Sequence, residues 1–155
     1  MTYMVKHKRH QIKETIRRFT EKFNGDDLDG AMEFFAKNSR YVEYNGTQHH
    51  GKQTIRKALE PQFRQVFGTV RFHDKAMVID ETEQKAVFNW WCTMEINGKK
   101  LTWEGVDLFQ FEDGLIKEKR TFAQADMLRF MPRNVVLLPA FMVYIMKQKI
   151  KCLFK

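Results

Sequence analysis

Ile12, Ile16, Phe19 and Phe23 recur at intervals of three and four residues, which lines them up as one apolar stripe on a first helix. Asn24-Gly25 is its expected stop. Asp26 or Asp27 can cap a second helix over LDGAMEFFAKN, where Leu28, Met32 and Phe35 share a face. The extended piece RYVEYNG then turns at Asn45-Gly46. A third helix from about Lys52 aligns Ile55, Leu59, Phe63 and Val66, and Gly68 ends it.

From residue 69 the period becomes two. TVRFHDKAMVID, KAVFNWWCTMEI, KKLTWEGVDLFQF and LIKEKRTFAQ read as four strands joined by ETEQ, Asn97-Gly98 and Glu112-Asp113-Gly114 turns. Such meandering connections predict a curved antiparallel sheet preceded by three N-terminal helices, an α+β arrangement enclosing an apolar cavity. Alternation places Phe88, Trp90, Cys92 and Met94 on one face of the second strand. On the third it groups Leu101, Trp103, Gly105, Asp107, Phe109 and Phe111. Asp107 is thus a carboxylate on an aromatic face, where an ionised group costs several kcal/mol unless it is paired. It either stays protonated and has a chemical role or is a structural carboxylate, ion-paired with a buried arginine or capped by backbone donors.

Composition narrows the class. Fourteen phenylalanines in 155 residues suit one globular domain with an aromatic interior. Two cysteines, Cys92 and Cys152, make no disulfide framework, and no Cys/His spacing points to zinc. The adjacent His49 and His50 project to opposite sides of an extended chain, so no metal is expected, and no nucleotide-cofactor fingerprint occurs. The basic N-terminus lacks a long apolar core, which makes a cytoplasmic setting the default expectation.

The net charge of +8 sits at the ends: residues 1–25 carry +5 and 127–155 carry +6, while 26–126 carry −3. A near-neutral body argues against a specific nucleic-acid groove. Residues 127–155 form a basic-apolar extension to a domain at 1–126. The apolar run Val135–Met146, broken by Pro139, is too short to cross a bilayer. It is expected to close the cavity or meet a partner subunit, or to rest weakly on a membrane surface through Lys147, Lys149, Lys151 and Lys155.

The order of elements, with NGDDLDGAMEFFA, GKQTI and GVDLFQFEDGLI, resembles the ketosteroid isomerase and SnoaL-like branch of the nuclear-transport-factor-2-like (NTF2-like) superfamily. The resemblance implies a cone-shaped fold. Its general base falls on Glu43, eight residues beyond Phe35, and its neutral oxyanion-hole acid falls on Asp107. Ketosteroid isomerases are the known case of a carboxylic acid kept neutral by an apolar site so that it can donate a hydrogen bond. The family's tyrosine donor falls on Phe19, so one member of the trio is missing. The arginine that epoxide hydrolases of the superfamily place before the strand aspartate is Gly105 here, and the late aspartate of SnoaL-type cyclases is Gln124.

The implied activity is proton transfer next to a carbonyl, as in an isomerase, hydratase or lyase. Phe19, Phe88, Trp90, Met94, Trp103 and Phe122 would shape a pocket for a small apolar or carbonyl-containing ligand, without a cofactor, in a homodimer. The other reading is non-catalytic binding of an apolar ligand in the same cavity.

Overall fold

The computed structural model describes residues 2–66, 68–96 and 98–124. The expectations for the C-terminal extension lie outside the described residues. The chain runs α1 (Thr2–Asn24), α2 (Leu28–Glu33), β1 (Phe35–Val42), β2 (Gln48–His50), α3 (Lys52–Phe63), β3 (Thr69–Asp80), β4 (Lys85–Ile96), β5 (Lys99–Glu112) and β6 (Leu115–Ala123).

The strands form one curved sheet in the order β2-β1-β6-β5-β4-β3. The expected antiparallel meander β3 to β6 is present, but the sheet is mixed, because β1 lies parallel to β6. That pairing also corrects the second helix, which ends at Glu33 rather than Asn38. The Ile116 N–H donates to Phe34 O, and Phe35, 1 % exposed, enters the sheet beside Ile116. Sheet pairing overrides the helical spacing of Leu28, Met32 and Phe35. Similarly, α3 ends at Phe63, and Val66 is exposed instead of completing its stripe.

The α1 stripe is buried as read: Ile12, Ile16 and Phe19 enter the core and Phe23 packs against it. Asn24 ties the end of this helix to β3 by a reciprocal pair, donating from Nδ2 to Phe72 O at 2.8 Å and accepting from Phe72 N at 2.7 Å. Asp27 caps α2 by accepting from Gly30 N at 2.8 Å. Among the described residues, no helix is long and apolar enough to cross a membrane.

The parallel β1–β6 seam carries a charged clamp. Arg40 donates to Glu118 Oε2 through Nε at 3.0 Å and Nη2 at 2.6 Å, and Arg120 donates to Oε1. Partial burial pushes the Glu118 carboxyl up, but the two guanidiniums together outweigh it and hold it below its ordinary value of 4.5. A carboxylate depressed in the folded state adds stability above its ordinary range and loses it as pH falls through the lower folded value. Glu118→Gln is therefore expected to cost on the order of 1 kcal/mol at pH 7, discounted for solvent exposure. Urea titrations at pH 7 and near pH 3 should show the deficit shrinking in acid. An equal deficit at both would assign the effect to packing.

Candidate functional site

Register places a row of side chains across the interior face of the sheet, half-buried at β2 and β1 and buried from β6 to β4. His49 on β2 pairs with Tyr41 on β1, Tyr41 with Lys119 on β6, Lys119 with Phe109 on β5, and Phe109 with Ala86 on β4. The adjoining row brings Thr121, Asp107 and Phe88 side by side. Period-two alternation allowed these faces to be read within each strand. The neighbours across strands come from the sheet order alone.

Asp107 and Lys119 form an ion pair, Nζ to Oδ1 at 2.8 Å, with side chains only 8 % and 9 % exposed. Lys119 also donates to Thr121 Oγ1 at 2.6 Å, and Thr121 donates to the same Asp107 oxygen at 2.7 Å. The ammonium lies 5.0 Å from the Tyr41 ring centroid and 5.8 Å from that of Phe109. The expectation for Asp107 is a neutral acid donating to an oxyanion; the geometry here shows two donors, one of them an ammonium, converging on a single Asp107 oxygen that accepts from both. The group with hydrogens to offer is Lys119, which the sequence pattern did not single out. A lysine in the polar-looking run LIKEKRTFA gives no sign that its alternation faces inward.

Glu43, just beyond β1, is also engaged. Its Oε1 lies 2.6 Å from His49 Nε2, with side chains 11 % and 13 % exposed. The hairpin that joins them is held by Glu43 N donating to Thr47 O and Gly46 N donating to Glu43 O, both at 2.9 Å. Gly46, at φ +84°, supplies the left-handed turn. A carboxylate only accepts, so the hydrogen of this bond is on Nε2; in the neutral ring Nδ1 then keeps the lone pair. The His49 ring stacks on Tyr41 at 6.0 Å between centroids. His50 is exposed, as expected for adjacent residues of a strand. The hairpin's apparent polarity had concealed His49 as the partner of Glu43.

The structure thus brings the two candidate carboxylates to one region, each already bonded to a basic residue. Glu43–His49 and Asp107–Lys119 lie on either side of the Tyr41 ring. Tyr41, His49 and Trp103 are half-buried, so this flank is less enclosed than the core.

Phe88, Trp90 and Met94 are buried on the face of Asp107, where Phe88 lies directly opposite it, and Trp103 packs partly buried against the core. Phe19 is a node of the aromatic core, with ring centroids of Phe23, Phe35 and Phe109 at 4.9, 5.5 and 6.2 Å. Rings in mutual contact occupy this end of the volume expected as a cavity. Phe122 does not belong to the set. It pairs with Val106, on the face opposite Asp107, and is 55 % exposed. A surface cleft of about 310 Å³ lies elsewhere, lined by Lys8, Gln11 and Thr15 of α1 and by Gln84, Asp113 and Gly114 of two turns, and contains none of these candidates.

The fold has solved counterparts. One is an NTF2-like protein of unknown function from Burkholderia pseudomallei, 21% identical, covering 77% of this chain and 95% of that one at TM-score 0.65. The epoxide hydrolase/cyclase-like enzyme SalBIII, described for pyran ring formation in salinomycin, is 17% identical over 76% and 93% of the two chains at 0.66. A putative polyketide cyclase from Xanthomonas campestris is 16% identical over 80% and 96% at 0.65. Identities this low show a shared fold. No curated protein matches the chain in sequence. The SnoaL-like domain profile, however, matches residues 16–119, from the α1 stripe through the strand that carries Lys119. With that span and this architecture, the chain belongs to the SnoaL-like family of the NTF2-like superfamily.

Proposed function

We propose that this protein is a small-molecule enzyme of the SnoaL-like type, moving a proton next to a carbonyl group. The observation that carries the reading is the enclosed 2.6 Å bond between Glu43 and His49. A carboxylate holding one imidazole nitrogen fixes the tautomer and stabilises the imidazolium that forms, as it does in hydrolase triads. Glu43, read from sequence as the base itself, becomes the group that orients it. His49 Nδ1 takes the proton from carbon, the electron pair moves to the carbonyl oxygen, and Lys119 Nζ stabilises the resulting enolate. The imidazolium returns the proton at another carbon or to a leaving oxygen.

Deuterium exchange at the α-carbons of 2-indanone, followed by NMR in D₂O, tests this reading. The protein should accelerate exchange, and His49→Gln and Glu43→Gln should each lower the acceleration by roughly 10²–10⁴-fold. His50→Gln, on the exposed side, should leave it unchanged. Exchange no faster than in buffer would reject the enzymatic reading.

The second reading, non-catalytic binding, is favoured by one feature. Two of the three Lys119 hydrogens are already engaged by Asp107 and Thr121, and Phe19 offers no hydroxyl where the family has one. It predicts ketone binding without exchange.

Homodimerisation through the outer sheet surface is proposed on the row Val78, Val87 and Leu108, which pair across β3, β4 and β5 and remain exposed beside Phe122. Val87→Glu should convert a dimer to monomer in sedimentation. A wild-type protein that sediments as a monomer would exclude the dimer.

A further inference from the structure

Trp90 is 2 % exposed, yet among the described residues its Nε1 finds no hydrogen-bond partner. Buried indole N–H groups are ordinarily paired, and leaving a polar hydrogen unpaired in an apolar interior is costly. The indole is not loosely placed. It stands opposite Gly105, and its Cζ2 and Cη2 occupy the space that a side chain there would fill. Phe72 holds it from the β3 side, edge to face at 5.0 Å. The same face carries Asp107 two residues further along β5 and Phe88 opposite it. The donor is therefore fixed on the face that bears Lys119, where no acceptor among the described residues meets it.

We infer that the Trp90 N–H binds an acceptor oxygen of the ligand, making it a second recognition donor besides Lys119. The ligand class is a largely apolar ring compound bearing a carbonyl-type oxygen. The aromatic walls bind the rings and the indole selects for the oxygen. This rests on the interior-ligand reading above but requires no catalysis.

The test uses 9-fluorenone and fluorene, planar probes of similar shape that differ by one carbonyl oxygen. The wild-type protein should prefer fluorenone, and Trp90→Phe should reduce that preference roughly three- to tenfold, the worth of one neutral hydrogen bond. Fluorene affinity should change little. In the wild-type protein, the Trp90 indole NMR signal should move downfield with fluorenone and not with fluorene. That signal is assigned by elimination with Trp91→Phe and Trp103→Phe, so the readout stands even where Trp90→Phe folds poorly. Equal binding of the two probes, a preference unchanged in Trp90→Phe, or an indole signal indifferent to fluorenone would each overturn the inference. Protein that binds fluorenone through Trp90 but exchanges no α-protons would lose the enzymatic reading and keep this one.

Discussion

Lys119→Met is expected to destabilise the protein by about 3–5 kcal/mol, the cost of leaving a buried charge without its partner. The Asp107 carboxylate is 8 % exposed on its side chain, and after the substitution the Thr121 hydroxyl alone among the described side chains would still donate to it. The loss of the ammonium's contacts with Tyr41 and Phe109 adds to the same direction. Lys119→Met/Asp107→Leu should recover most of the deficit, because an apolar pair of similar volume carries no desolvation penalty. Urea unfolding of wild type, both single variants and the double variant completes the cycle. A single-variant cost below about 1 kcal/mol, typical of solvated pairs, would show that water reaches the pair. The double variant also bears on function. If fold and stability return while α-proton exchange is lost, Lys119 and Asp107 are kept for chemistry rather than for stability.

Gly105→Ala should cost about 1–3 kcal/mol through overpacking, at the upper end of that range. A β-carbon there would overlap two indole carbons of Trp90 and sit 2.7 Å from the backbone oxygen of Phe122. Neither neighbour can easily give way. The indole is 2 % exposed against Phe72, and the carbonyl belongs to β6, whose Phe122 pairs with Val106. Adding Trp90→Leu removes the flat ring above the glycine, so the double variant should be more stable than the two single costs predict. Strict additivity would mean that the indole has another place to go. The same contact explains why the arginine expected of related epoxide hydrolases cannot stand at Gly105 in this chain: the indole already fills that space.

The helical stripe of Ile12, Ile16 and Phe19 and the alternation along β3 to β6 were legible because both are local periodicities, repeated often enough to outweigh exceptions. Asn24-Gly25 and Asn45-Gly46 were legible for a related reason, since turn chemistry is confined to a few adjacent residues. The helical reading of residues 34–38 failed where local spacing competed with a distant strand. Phe35 satisfies the helical stripe of Leu28 and Met32, and only the arrival of Ile116 about eighty residues later turns it into sheet, with Phe34 left as the cap of α2. Phe122 failed differently. Its aromatic character suggested the interior, but its position in the alternation of β6 puts it with Val106 on the outer face.

From its own pattern, the sequence determined that Asp107 stands on an aromatic face and that a carboxylate follows β1 at Glu43. It determined, too, that such groups need partners, because the cost of a buried charge is a property of the residue. Which partners they have was decided by the tertiary structure. Parallel pairing of β1 with β6 sets Tyr41 beside Lys119, and antiparallel pairing of β6 with β5 sets Thr121 beside Asp107. The hairpin closed at Gly46 returns His49 to Glu43. Lys119 lies 12 positions from Asp107 in the chain and 2.8 Å from it in space. Side-chain alternation specifies a face, whereas the neighbour on that face depends on strand order and register. Both are set by backbone hydrogen bonds between segments that no local pattern connects.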